Sequence, residues 1–146
     1  MKKLILLTGL ICLLLSASAA KVSSSERAKS HFKANYSEVQ NETWYAAPDN
    51  TMYCIFHQGG TTDRVFYDSR GYWQFTMVSY APALLKQNIK ELVLGHFDGY
   101  RISYINEIQS AYDEPVYMIN LENAGSIKVV KVVGDDIDVK QALTKE

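Results

Sequence analysis

The sequence predicts an α+β domain built from two tandem units, each a helix followed by an antiparallel sheet, with the helices packed on one sheet face. Three observations predict it. Apolar residues recur at helical spacing twice, at Ala28, Phe32 and Tyr36 and again at Leu85, Ile89, Leu92 and Val93. Each helical stretch is followed by short runs rich in β-branched and aromatic residues, punctuated by Gly, Pro, Asn and Asp. The chain is 47% hydrophobic with ten Tyr, five Phe and two Trp, which supports a packed core and excludes general disorder.

The N-terminus stands apart from this pattern. Lys2 and Lys3 precede an apolar run from Leu4 to Leu15, and Ser16 to Ala20 are all small. That is the order of a secretory signal. The apolar run is shorter than the roughly 20 residues needed to span a bilayer. We therefore expect a signal peptide over residues 1–20, cleavage beside Ala20 or Lys21, and a periplasmic or secreted domain over 21–146. No later stretch is apolar for long enough to span a membrane. Cys12 sits in mid-run behind Ile11, not in a lipoprotein context. Without Lys2 and Lys3, 15 basic residues become 13 against 16 acidic ones, a net charge of −3. Such a balance argues against a nucleic-acid binder. Only Cys54 then remains, so no intramolecular disulfide can form.

Each element has its own warrant. Ser23 followed by Glu26 is a capping-box pattern, and a helix is expected over about 24–35. Trp44 and Tyr45 mark a strand that ends at the turn Pro48-Asp49-Asn50. Thr51 to Gln58 is the next strand, joined through Gly59-Gly60 to Thr62–Asp68. Ser69-Arg70-Gly71 turns the chain into Tyr72–Tyr80. Pro82 suits a first helical turn, and Gly95 a helix end, so the second helix is expected over about 82–94. Strands resume at Tyr100–Ser110, Val116–Glu122 and Ile127–Val133, divided by Asp113-Glu114-Pro115 and Asn123-Ala124-Gly125. After Gly134-Asp135-Asp136 a short strand or tail is expected from Ile137, with fraying from Gln141.

The helix-then-strands order occurs twice, over about 24–80 and 82–140. An internal repeat is expected, with Tyr53-Cys54-Ile55 aligned on Tyr117-Met118-Ile119. Alternation gives each strand two faces. Met52, Cys54 and Phe56 form a greasy set, as do Trp73, Phe75 and Met77. Against them stands a set of tyrosines mixed with polar residues. We expect Trp73, Phe75, Leu85, Ile89, Leu92 and Val93 to be buried together. The opposite, wet face is the candidate binding surface: Tyr53, Tyr67, Tyr72 and Tyr80, with Arg64 and Gln74 at the edges. Tyr suits protein contact because it brings area at little entropy cost and keeps a polar tip.

Catalytic patterns are missing. His31, His57 and His96 have no partner at a metal-ligand spacing such as H-E-x-x-H. Cys54 and His57 lie three apart in a strand and so point to opposite faces. There is no nucleophile elbow, phosphate loop or dinucleotide fingerprint. Asp135, Asp136 and Asp138 lack the downstream residues of a calcium loop. No metal, cofactor or catalytic residue is expected.

Several motifs together resemble a known family: Phe32-Lys-Ala-Asn-Tyr36 before the strand Trp44, Tyr53-Cys-Ile-Phe56, Val65-Phe-Tyr-Asp-Ser-Arg-Gly71, the Pro-led helix, Tyr100-Arg-Ile102 and Tyr117-Met-Ile-Asn-Leu121. These look like the exported PepSY-like, or beta-lactamase-inhibitor-like, proteins of Bacteroidetes, over about 32–133. The resemblance implies tandem units of helix on antiparallel sheet, export without catalysis, and binding or inhibition of a protein partner in the cell envelope through the open sheet face. The competing expectation is a small-ligand-binding or enzymatic cone-shaped α+β domain, cystatin-like or nuclear-transport-factor-like. It would need a deep apolar pocket with a convergent carboxylate or His, for which Asp68 or His57 would serve.

Overall fold

The computed structural model describes residues 23–145. The expected signal segment and its cleavage site lie outside the described residues.

Helix α1 (Ser24–Asn35) starts where the capping box placed it. Ser23 Oγ accepts a hydrogen bond from the Glu26 amide at 3.2 Å, and the Ser23 amide donates to the Glu26 carboxylate at 3.1 Å. These pairs satisfy backbone donors that a helix start otherwise leaves open. Four strands follow, β1 (Thr43–Ala46), β2 (Met52–Gln58), β3 (Thr61–Tyr67) and β4 (Trp73–Tyr80). A 3-10 turn (Pro82–Leu84) then leads to helix α2 (Gln87–His96). The remaining strands are β5 (Arg101–Gln109), β6 (Val116–Glu122), β7 (Ser126–Val133) and β8 (Asp136–Thr144). All eight pair antiparallel in sequence order, forming one meandering sheet without a crossover. The fold is the expected one, two helices packed on an antiparallel sheet.

Both helices cover the same side. α1 lays Ala28 and Phe32 on Cys54, Phe56, Val65 and Tyr67, with Trp44 and Trp73 at the margin. α2 lays Ile89 and Val93 on Ile105, Ile119, Leu121, Val130 and Val132. Register ties the two patches to one face: Val65 lies opposite Thr76, and Tyr80, four residues on, lies opposite Ile105. The other side of the sheet faces away from both helices.

Three details depart from the sequence reading. The Pro-led helix is two pieces. Leu85 and Lys86 take extended backbone between them (ψ 135° at each), which drops Leu85 into the core at 6% exposure. Pro82 therefore opens the 3-10 turn, while Gly95 lies inside α2 and ends nothing. Strand β8 does not fray at Gln141; it stays paired with β7 as far as Thr144 opposite Ser126. Finally, the register shifts between Phe66 and Tyr67, so that Phe66 faces Phe75 and Tyr67 faces Trp73. Gln74 is the extra residue of this bulge. It turns Trp73 toward α1 and Phe75 to the opposite side, and the expected joint burial of Trp73 and Phe75 with the α2 residues is corrected accordingly. Trp73 packs in the α1 core, Phe75 leaves the core, and Leu85, Ile89 and Val93 are buried with Leu92 beside them.

The expected alignment of the two units is also out of phase. Cys54 points to the helix side, whereas Met118, its proposed counterpart, points away while Tyr117 is buried. The buried positions match at other offsets. Ala28 and Phe32 of α1 correspond to Ile89 and Val93 of α2, each 61 positions on; Cys54, Phe56 and Val65 correspond to Ile119, Leu121 and Val130, each 65 positions on.

Candidate functional site

The helix-free side of the sheet carries an aromatic ladder. Register places Tyr45 opposite Tyr53, Tyr53 opposite Phe66, and Phe66 opposite Phe75. The rings stack across four strands, with centroids 4.8, 5.5 and 4.5 Å apart and planes within 25° of parallel. Cross-strand aromatic pairs stabilise a sheet and hold their rings in fixed rotamers. Two residues along each strand runs a second row, Ile55, Arg64, Met77, Ile108, Val116 and Val133. Beside it lies a polar row in which Arg64 Nη1 donates to Ser79 Oγ at 3.1 Å and Ser79 Oγ donates to Asn106 Oδ1 at 2.7 Å. The result is a broad, partly apolar surface on a rigid sheet.

The six expected binding residues do not share this surface. Tyr53 lies on it, in the second rung of the ladder. Arg64 lies on it too, inside the sheet on β3 and not at an edge. Tyr67 is a correction. It shares the helix side with Val65, is 1% exposed, and its hydroxyl lies 3.2 Å from His31 Nδ1 of α1. Tyr80 is a second correction: it is buried under α2, and its hydroxyl donates to Glu107 Oε2 at 2.6 Å. Burial pushes both phenols to higher pKa, and the Glu107 carboxylate adds to the effect at Tyr80. Tyr72 precedes β4 and is half-exposed at the end of the sheet, with the Arg27 guanidinium of α1 4.6 Å from its ring centroid. Gln74 is exposed at the bulge. Register sets Tyr67 apart from Tyr53: it lies opposite Met52, while Tyr53 lies opposite Phe66. Tyr45, Phe66 and Phe75 are the ladder members that the tyrosine pattern missed, and an alternation of Val65 and Tyr67 against Phe66 was the available signal.

The groups weighed for small-ligand chemistry do not converge. The Asp68 carboxylate accepts from the amides of Tyr72 and Arg70 and from the Arg70 guanidinium, so it builds the turn; these bonds hold its pKa below the ordinary value. His57 Nδ1 lies 3.0 Å from Thr62 Oγ1 across the hairpin. The crevice beside His57, about 340 Å³, is lined by Glu38, Val39, Gln40, Asn41 and Gln58 and does not include Asp68. Cys54 is fully buried on the other face, its thiol pushed up to about 12 first by burial and then by the Glu42 carboxylate. Among the described residues no group of three or more His, Cys, Asp or Glu is placed to hold a metal ion, and no helix is long and apolar enough to cross a membrane.

An open antiparallel sheet with helices on one face defines a class that solved structures share. The fold is similar to a BLIP-like protein from Bacteroides fragilis (TM-score 0.68, 10% identity, 83% of this chain and 87% of that one). It is similar to a DUF2874 family protein from Bacteroides ovatus (TM-score 0.67, 13% identity, 81% and 85%). A "putative periplasmic" protein from Bacteroides eggerthii is also similar (TM-score 0.65, 10% identity, 82% and 87%). No protein-family model matches the chain, and no curated protein matches it in sequence. The beta-lactamase-inhibitor-like fold implied by the sequence motifs is thus the observed fold.

Proposed function

We propose that this protein is an exported, non-catalytic binding or inhibitory module that holds a protein partner in the cell envelope through its helix-free sheet face. The observation that carries the reading is the ladder Tyr45-Tyr53-Phe66-Phe75, which both helices leave uncovered. Aromatic anchors on a rigid scaffold bring contact area with little ordering cost, and such residues dominate binding energy at protein interfaces. Export rests on the charged, apolar, small-residue order of the N-terminus. The similar fold of a protein named as periplasmic agrees with it. Assignment to the PepSY-like proteins is part of the same proposal and rests on the motifs between Phe32 and Leu121. The BLIP-like fold supports protein binding by analogy of architecture.

The test uses the chain from Lys21 onward as bait on envelope extracts. The double substitution Tyr53→Ala with Phe66→Ala should leave the circular dichroism spectrum folded and remove captured proteins. A helix-side control, Lys29→Ala, should capture as the parent does. Equal capture by the folded double variant would sink the sheet-face reading.

A further inference from the structure

Arg64 is out of character with the surface around it. It occupies the third strand of eight, with Ile55 and Met77 as its cross-strand neighbours and Phe66 two residues along. Most other cations of the described residues lie on helices, turns and strand ends, although Lys128 and Lys131 on β7 are also partly buried. Arg64 is partly buried. Of its five N–H donors, one finds an acceptor among the described residues, Ser79 Oγ. Ser79 is in turn fixed by Asn106 Oδ1. Among the described residues no carboxylate pairs with Arg64, although Asp68, Glu122 and Asp138 all take a cation elsewhere.

That arrangement has a chemical consequence. The Ser79–Asn106 chain holds one corner of the guanidinium, and its other N–H donors meet no acceptor among the described residues. A guanidinium presents parallel donors that match a carboxylate, and the match gains strength where apolar neighbours exclude water. Here Ile55, Met77 and Phe66 supply those neighbours. The remaining polar residues nearby, Thr62 and Asn106, are neutral and do not compete for the cation.

We propose that the sheet face selects protein segments that carry an acidic side chain flanked by apolar residues, with the carboxylate seated on Arg64 and the apolar flanks on Ile55, Met77 and the aromatic ladder. This rests on the reading of the open face as the binding surface and adds the chemistry of what it takes. The exported chain is itself acidic by three charges, so a cation at the centre of its contact surface works against the general repulsion of an acidic partner and makes the contact at Arg64 selective.

The probe is a set of short synthetic peptides with constant aromatic and aliphatic flanks and a central pair that is Glu-Glu, Gln-Gln or Lys-Lys. Binding to the chain from Lys21 onward is measured by fluorescence anisotropy at low and high salt. The acidic series should bind at least about tenfold more tightly than the neutral one, and the preference should shrink as salt rises. Arg64→Glu should reverse the order in favour of the Lys series, and Arg64→Gln should level it, each with an unchanged circular dichroism spectrum. If Arg64→Glu does not fold, Arg64→Gln alone decides. An acidic preference that survives Arg64→Gln yet disappears in Tyr53→Ala with Phe66→Ala overturns the role of Arg64 and leaves the sheet-face reading standing. Peptide binding untouched by either set of variants overturns both. A parent protein that shows no acidic preference, or retains no peptide at all, overturns the Arg64 inference.

Discussion

One buried and one half-buried side chain make residue-scale expectations sharp. Cys54 has no exposed surface, and burial raises its thiol pKa to about 12. A thiol reacts as its thiolate, so Cys54 is inert while β2 stays in the sheet. In the chain from Lys21 onward, a colorimetric thiol reagent at neutral pH should find no reactive group until guanidinium unfolds the protein; rapid stoichiometric reaction in the native state would show that β2 opens. His31 sits between α1 and the sheet, stacked 5.8 Å from the Trp73 ring and bonded to the Tyr67 hydroxyl. Partial burial lowers its pKa below 6.5. The folded state then binds fewer protons than the unfolded one near that pH. Its contribution is complete above about 6.5 and is lost as pH falls through the lower folded value. Urea midpoints of the parent should therefore drop more between pH 7 and pH 5 than those of His31→Gln. An equal drop in both would remove His31 as the cause.

At the scale of elements, what the sequence disclosed depended on whether the signal was local. The start of α1 was legible because a capping box needs only Ser23 and Glu26. The strand sequence of β6 was legible because Val116 to Glu122 alternates cleanly between sides. The bulge at Gln74 was not, since Trp-Gln-Phe contains no glycine or other punctuation and the shift exists only in the pairing with β3. One extra residue was enough to move Phe75 from the expected core to the ladder. Tyr67 and Tyr80 were misplaced for a different reason: a tyrosine fits a wet face or a core equally well when its hydroxyl finds a partner, and His31 and Glu107 come from distant parts of the chain. Strand β8 was hidden because polar residues interrupt its apolar ones and nearly all are exposed; its backbone bonds to β7 hold it, with Ile137 packed beside the second cluster. The second helix shows the same division. Its apolar face was readable, its N-terminal break was not. That face gives a clean contrast between neighbours. Ile89→Ala removes a side chain that is 7% exposed and should cost about 2–5 kcal/mol. Leu84→Ala in the 3-10 turn removes one that is 51% exposed and should cost less than about 0.5 kcal/mol. Chemical denaturation of both variants checks the pair, and similar costs would mean that the α2 face carrying Ile89 is not the buried one.

For the whole molecule the question is whether two similar units behave as one. Each has its own helix and its own apolar cluster, and buried positions recur at offsets of 61 in the helices and 65 in the following strands. Against independence stands the seam. β4 of the first unit pairs with β5 of the second from Thr76–Gln109 to Tyr80–Ile105, and Tyr80, from the first unit, is buried in the second cluster with its hydroxyl on Glu107. Removing the second cluster would strip β4 of its partner strand and expose that hydrogen bond, so the loss would pass directly into the first unit. The tryptophans allow this to be measured. Trp44 and Trp73 both border the α1 cluster, and the second unit has none. Tryptophan fluorescence therefore reports the first unit alone, while far-ultraviolet circular dichroism reports the whole sheet. Ile89→Ala lies wholly in the second cluster. If the seam couples the units, it should lower the fluorescence midpoint and the dichroism midpoint together, by on the order of 10 °C for a loss of about 2–5 kcal/mol in a domain of this length. A fluorescence transition that stays at the parent temperature while the dichroism splits in two would show that the units unfold separately, and that one continuous sheet does not make one cooperative fold.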